Sequence, residues 1–142
     1  MLAALVLIAG CGTSTSTQTP TQGELACQPF PLPDAQSYLT NEDTGGVRVA
    51  GAKAKKAAAV PFRAPVRGKK YWAIAIDATT GTPVVYFPGA TPEGAPQGLT
   101  FSADAASEAF VAFPPAGDTK LGPEMVDAGS EAATVAAKSC LG

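Results

Sequence analysis

The stretch of sequence that decides the fold is Lys69-Lys70-Tyr71-Trp72-Ala73-Ile74-Ala75-Ile76. Alternate side chains of a β-strand point to opposite faces of the sheet, so this stretch predicts a strand with Trp72, Ile74 and Ile76 on one face and the intervening residues on the other. Burial of an aromatic ring is the main contribution that a small domain can use, so Trp72 is expected in the core. The alternative is that Trp72 and Tyr86 line a ligand groove.

A hairpin follows from this strand. Asp77-Ala78-Thr79-Thr80-Gly81 has turn residues, and Thr82-Pro83-Val84-Val85-Tyr86-Phe87 returns as the second arm. Pro83 marks either the start of this arm or an edge strand, because proline cannot donate to a central ladder. Weaker patterns predict an edge strand over residues 47–50 and a further strand over 99–101. The sequence therefore predicts a short antiparallel sheet of three or four strands.

Helices are predicted on both sides of these strands in the chain. The proline-rich run 28–33 excludes helix, because each proline restricts the residue before it, and Asp34 is the expected N-cap of a short helix after the run. Ser102 or Asp104 is expected to cap a second helix, which Pro114-Pro115 ends. The fold class is therefore α+β, with the sheet covered by two or three helices.

Two of the helices have predicted apolar faces. The first helix is expected to carry Ala35, Tyr38 and Leu39. A last helix is expected to begin at Asp127 and to pack closely on the sheet, because its apolar face consists almost entirely of small residues. The residues expected on that face are Ala132, Val135, Ala136 and Cys140.

The first residues predict export. Leu7-Ile8-Ala9-Gly10-Cys11 is an apolar run that ends in two small residues and a cysteine, and it resembles the lipobox of bacterial lipoproteins. A secretory peptidase needs small side chains before its cut. The resemblance implies that residues 1–10 are a signal peptide and that Cys11 carries a thioether-linked diacylglycerol on the outer face of the cell membrane. No basic segment follows Met1, which we interpret as a start codon lying upstream. The alternative is an accidental cysteine after an apolar stub too short to span a bilayer, which needs about 20 residues.

The remaining chain divides at its second cysteine. Residues 11–26 are rich in Ser and Thr and lack apolar periodicity, so they are predicted to be a solvated tether. Residues 27–142 are predicted to form a single globular domain. With Cys11 lipidated, Cys27 and Cys140 remain, and an even pair in an exported chain predicts a disulfide that ties the ends of the domain together. The alternative is two unrelated buried thiols.

Few residues carry chemistry typical of an enzyme. The chain contains no histidine, which removes the commonest general base and metal ligand. Serine is nowhere followed by lysine at the third position after it, and the cysteines are too far apart for a zinc site. We therefore expect no catalytic residues, metal or cofactor. The alternative is an envelope hydrolase that uses carboxylates alone, Asp77 with Asp104.

Positive charge is concentrated in one part of the sequence. This segment is expected to form a solvated face of a strand pair, on which lysines also discourage edge pairing. The alternative is contact with anionic lipid head groups or wall polymers, at up to about 1 kcal/mol per cation near a charged surface. Nucleic acid is not an expected partner of an exported chain with a net charge of −2. The cations concerned are Lys53, Lys55, Lys56, Arg63, Arg67, Lys69 and Lys70.

Taken in order, these signals resemble small lipoproteins of actinobacteria and their phages. The resemblance spans most of the chain and implies the same domain limits and the same cysteine pairing, but it carries no activity. We expect a lipid-anchored, non-catalytic binding or interaction module of the cell envelope. A phage-encoded member would imply superinfection exclusion as the alternative role. The matching motifs are Ile8-Ala9-Gly10-Cys11, Lys69-Lys70-Tyr71-Trp72-Ala73, Asp127-Ala128-Gly129 and Ser139-Cys140-Leu141.

Overall fold

The computed structural model describes residues 25–40, 48–63, 70–79, 81–88, 100–118, 123, 125 and 129–142. The predicted signal peptide, the predicted anchor Cys11 and the tether as far as residue 24 lie outside the described residues. Val47 of the predicted edge strand, Arg67 and Lys69 of the basic segment, and Asp127 at the predicted start of the last helix also lie outside the described residues.

The described residues form one five-stranded sheet in which every neighbouring pair of strands is antiparallel. The strands lie side by side in their order along the chain. They are β1 (Gln28–Pro29), β2 (Ala54–Arg63), β3 (Lys70–Ala78), β4 (Val84–Pro88) and β5 (Thr100–Ser102). The predicted hairpin is β3 and β4, and β5 is the strand predicted near residue 100. The sheet has five strands where three or four were expected, because β1 and β2 carry little strand signal.

Three helices with their bounds in the described ranges cover this sheet, as the α+β prediction required. They are α1 (Leu32–Leu39), α2 (Ala105–Phe110) and α3 (Ser130–Ser139), and a 3₁₀ turn covers Ala116–Asp118. Residues of α1 and the end of α2 pack on one face of the sheet, whereas α3 packs on the other. The domain therefore has three layers, with helices on both sides of an antiparallel sheet.

The central strand β3 is buried on both faces, and its predicted alternation is confirmed. Ile74 and Ile76 belong to the apolar cluster on the α1 side. Ala73 and Ala75 belong to the cluster on the α3 side, and all four side chains are fully buried. Trp72 is half-buried and packs against the α1-side cluster, so the indole is at the border of the core. No part of β3 from Ala73 to Ile76 presents a solvated face.

The predicted edge strand over residues 47–50 is wrong for the residues that the structure describes. Residues 48–50 form a bend and a turn, and the N–H of Arg48 donates to the carbonyl oxygen of Phe110 at 3.1 Å. This hydrogen bond ties the segment to the end of α2. The backbone donor of Arg48 is therefore used outside the sheet.

The first helix begins earlier than predicted. Its first residue is Leu32, so Asp34 lies in the first turn and is not the N-cap. Pro31 occupies the N-cap position and Pro33 the first turn, where a missing N–H removes no hydrogen bond within the helix. The expectation that the run to residue 33 excludes helix is therefore wrong at its last two positions. The predicted apolar face is confirmed by the burial of Ala35, Tyr38 and Leu39.

The other two helices differ from prediction in where they end and in which face they bury. Asp104 caps α2 as predicted, but α2 ends at Phe110, before Pro114. In α3, the buried face contains Ala133 and Ala137, whereas Val135 is 66% exposed. Successive residues of a helix are rotated by about 100°, so an alanine-rich helix gives little indication of which face packs. The predicted face is therefore wrong for Ala132, which is exposed, and for Val135.

Strand β2 was not predicted from the sequence, because its residues have low strand propensity. Alanine and lysine are depleted in strands, and Pro61 lies inside the strand. Pro61 is tolerated because β1 pairs only with Ala58 and Ala59, so that among the described residues no strand lies beside Pro61 on the outer edge. The register of the β2–β3 pairing shifts between Ala54 and Lys56, at the start of β2.

The predicted disulfide joins the two ends of the domain. Cys27 and Cys140 are bonded with a Cα–Cα distance of 5.7 Å across a sequence separation of 113 residues. Cys27 immediately precedes β1, and Cys140 is the C-cap of α3. The bond therefore fastens the short edge strand to the helix on the α3 side of the sheet.

Replacing both cysteines, Cys27→Ser with Cys140→Ser, is expected to lower the free energy of unfolding by about 4 kcal/mol. The reason is that a loop of more than about 100 residues is no longer closed in the unfolded state. Urea denaturation measures the change. Reduction of the unaltered protein should lower stability by a similar amount, whereas Ser139→Ala should have little effect. A loss below about 1 kcal/mol would show that the bond does not constrain the unfolded chain.

Candidate functional site

The basic segment of the sequence is divided into two groups by the sheet. Lys53, Lys55 and Lys56 lie at the start of β2, whereas Arg63 at its other end is paired in register with Lys70 of β3. A ten-residue strand spans about 30 Å at 3.2–3.4 Å per residue. Among the described residues, the predicted single cluster is therefore divided between the two ends of the β2–β3 pair.

Two of the three lysines at the start of β2 have partners within the fold. The Nζ of Lys55 lies 3.6 Å from Oδ2 of Asp77. The Nζ of Lys56 donates to the carbonyl oxygen of Leu141 at 3.3 Å, just beyond the end of α3, where the helix dipole is negative. Lys53 is exposed, and its ammonium group has no ion-pair or hydrogen-bond partner among the described residues. Lys53 is therefore the cation of this group most available to a ligand.

A groove with a volume of about 580 Å³ lies beside Lys53, between α1 and residues 49–54. Its walls are mainly apolar and include Leu32, Leu39, Val49 and Ala52. Leu32 is 44% exposed, which is unusual in this domain for a large apolar side chain. The groove therefore exposes apolar surface next to the exposed ammonium group of Lys53.

The two walls of the groove are fastened together by Gln36. Its Nε2 donates to the carbonyl oxygen of Ala52 at 2.9 Å, and the N–H of Ala54 donates to its Oε1 at 2.8 Å. The side-chain amide thus pairs with the backbone much as a neighbouring strand would. Gly51, with φ at 75°, makes the left-handed turn that leads into this segment, a conformation that glycine favours.

The two aromatic residues proposed as alternative groove walls do not line this groove. Tyr86 is fully buried, and its hydroxyl donates to the carbonyl oxygen of Ser107 at 3.1 Å. Burial raises the pKa of Tyr86 well above its usual range, and the charge of Asp104 raises it further. Tyr86 is therefore a neutral core residue. Sequence reasoning missed Gln36 and Leu32 as groove residues, because the groove depends on how α1 packs.

The two carboxylates of the alternative hydrolase hypothesis are each paired with a different lysine. Asp77 pairs with Lys55, as described above. Oδ2 of Asp104 lies 2.7 Å from Nζ of Lys138 on α3. Oδ1 of Asp104 accepts from the backbone N–H of Ser107 at 2.9 Å and from its hydroxyl at 2.6 Å. Ser107 and Lys138, which the sequence did not single out, thus complete a polar network around the start of α2.

This network favours the ionised form of Asp104. Partial burial alone would raise the pKa of Asp104, but the hydrogen bonds from Lys138 and Ser107 outweigh it and hold the pKa below its ordinary value. A general acid needs a raised pKa, so the environment of Asp104 is the opposite of what that role requires. The hydroxyl of Ser107 also accepts from the N–H of Val85 at 2.7 Å. The arrangement therefore suits a structural role for both residues.

Comparison with protein-family models, with curated proteins and with solved structures finds no match for this chain. Among the described residues, His, Cys, Asp and Glu side chains do not come together in groups of three or more that would hold a metal ion. In the same part of the chain, no helix combines the length and the apolarity needed to cross a membrane.

Lys138→Met is expected to raise the pKa of Asp104, because the hydrogen bond and the positive charge are lost while the partial burial remains. A lowered carboxylate pKa stabilises the fold above the unfolded-state pKa, and that contribution is lost as the pH falls through the folded-state pKa. The variant should therefore begin to lose stability at a higher pH. NMR titration of the Asp104 carboxyl carbon measures the pKa, and acid unfolding measures the stability.

Lys55→Met is the matched control, since its partner is Asp77. It should leave the titration of Asp104 unchanged. An Asp104 pKa that is the same in Lys138→Met and the unaltered protein would contradict the assigned ion pair.

Proposed function

We propose that this protein is a lipid-anchored, exported, non-catalytic protein of the cell envelope that acts as a binding or interaction module. The observation that carries the proposal is the Cys27–Cys140 disulfide. Disulfides persist in oxidising compartments and are rare in the cytosol, so the bond favours export. It also leaves Cys11 as the one cysteine of the three outside the bond, in the position that the lipobox resemblance assigns to the lipid.

The proposed anchor is sufficient to hold the domain at a membrane. Two acyl chains on Cys11 give stable attachment, where a single chain gives only marginal binding. The predicted tether of residues 11–26 reaches at most about 55 Å when fully extended, at 3.3–3.6 Å per residue. This reach exceeds the length of β2, so both groups of cations can approach the bilayer or the polymers next to it.

Binding is a better match than catalysis for the polar groups that the structure describes. Asp77 and Asp104 are paired with lysines, and Ser107 is buried with its hydroxyl in hydrogen bonds. The groove beside α1 and the free ammonium of Lys53 are available to a ligand. The proposed partners are the membrane, through Cys11, and an anionic polymer or envelope protein.

Cys11→Ala is expected to abolish incorporation of an alkyne-tagged fatty acid into the protein and to release it from the membrane fraction. Expression of the full chain in a bacterial host, followed by gel detection of the tag and by fractionation, measures both. Thr13→Ala changes a neighbouring polar residue and should leave both properties unaltered.

Surface exposure is checked by treating intact cells with protease. The lipidated protein should be degraded while a cytosolic marker survives. Recovery of the unaltered protein from the cytosol, without the tag and with Cys27 and Cys140 reduced, would overturn the proposal.

A further inference from the structure

We propose that the groove between α1 and residues 49–54 binds a medium- to long-chain fatty acid, with the hydrocarbon chain against Leu32, Pro33 and Val49 and the carboxylate beside Lys53. The inference deepens the proposed function and rests on it in one respect, since it names a ligand for the proposed binding module. It does not require that the protein be anchored.

The polar groups of the groove are already hydrogen-bonded within the protein, which favours a ligand whose main part is a hydrocarbon chain. Both ends of the Gln36 amide are hydrogen-bonded to the backbone of residues 52 and 54. The hydroxyl of Thr40 donates to the carbonyl oxygen of Gln36 at 3.0 Å. The remaining wall is largely aliphatic. A polar ligand could form few hydrogen bonds in this groove. A hydrocarbon chain would gain binding free energy there, because apolar surface is removed from water.

The charge of the ligand follows from the position of Lys53. The backbone of Lys53 is held by Thr79, whose hydroxyl accepts from the Lys53 N–H at 3.2 Å and whose N–H donates to the Lys53 carbonyl at 3.0 Å. The residue is therefore fixed at the rim of the groove, while its ammonium group stays exposed. Lys55 and Lys56 have partners elsewhere in the fold. One cation beside an aliphatic groove complements a ligand with one anionic head.

The size and shape of the groove agree with a single chain. Its volume of about 580 Å³ is within the range of about 300–1,000 Å³ that is usual for small-molecule sites. The exposed position of Leu32 at the start of α1 leaves one side open to solvent. A linear chain can lie along such a groove, and binding would cover the exposed part of Leu32.

The test uses the full chain with Cys11→Ser, so that no acyl chain of the protein itself can occupy the groove. Decanoate and 1-decanol, both below the concentration at which they aggregate, are titrated while backbone amide shifts are followed by NMR. We expect saturable shifts concentrated in α1 and residues 48–54. Lys53→Gln should weaken binding of decanoate by about two- to fivefold, as for other exposed ion pairs, and leave binding of 1-decanol unchanged.

Two further variants test separately the contributions of the ligand's hydrocarbon chain and of its charged head group to binding. Leu32→Ala should weaken binding of both ligands, and it should keep the fold because Leu32 is partly exposed at a helix end. Lys55→Gln is the matched control for charge and should bind both ligands as the unaltered chain does.

Absence of saturable shifts in the groove would overturn the proposal, as would an equal effect of Lys53→Gln and Lys55→Gln on decanoate. Equal weakening of decanoate and 1-decanol by Lys53→Gln would also overturn it, because it would remove the carboxylate from the vicinity of Lys53. None of these results bears on acylation of Cys11, and loss of acylation leaves the groove intact, so failure of this proposal and failure of the proposed function are distinguishable.

Discussion

Burial of β3 on both faces is the constraint on which the rest of the structure depends. On one face Ile74 and Ile76 fill the space below α1, and on the other Ala73 and Ala75 leave little bulk below α3. Helix α3 has small side chains at the same interface, so small residues of the strand and helix face each other. A larger side chain in either row would force the helix away from the sheet, since close-packed interiors accommodate added volume poorly.

Helix α3 lies close to the sheet, and three interactions join its C-terminal end to other elements. Cys140 is bonded to Cys27 before β1, the Nζ of Lys138 reaches Asp104 at the start of α2, and Lys56 of β2 donates to the carbonyl oxygen of Leu141. These are a covalent bond, an ion pair and a hydrogen bond to three different elements. Because α3 has few large apolar side chains, these links fix a helix position that apolar burial alone would specify weakly.

The sequence predicted the parts of the fold that have strong local signals. The alternation in β3, the apolar run of β4 and the cap at Asp104 each have a physical cause within a few residues. Strand β2 could not be predicted in this way, because its alanines and lysines become a strand only through pairing with β3 along almost its whole length. The buried face of α3 has the same problem, since nearly any face of an alanine-rich helix can pack. The Cys27–Cys140 pair is long-range and was nevertheless predicted, because assigning Cys11 of the three cysteines to lipid attachment leaves a single pair.

The candidate site was less predictable, since it depends on which polar groups find partners after folding. The sequence does not distinguish which charged side chains, among Asp104 and the lysines of β2, will be paired in the folded protein. In the structure, Asp104 interacts with Lys138 and Ser107. Lys55 pairs with Asp77, and Lys56 donates a hydrogen bond to the carbonyl oxygen of Leu141. Gln36, which has no distinctive sequence context, becomes the link between the walls of the groove. The proposed recognition of an amphiphile needs an aliphatic surface and one accessible charge. Among the described residues, the groove beside α1 and the exposed Lys53 present both.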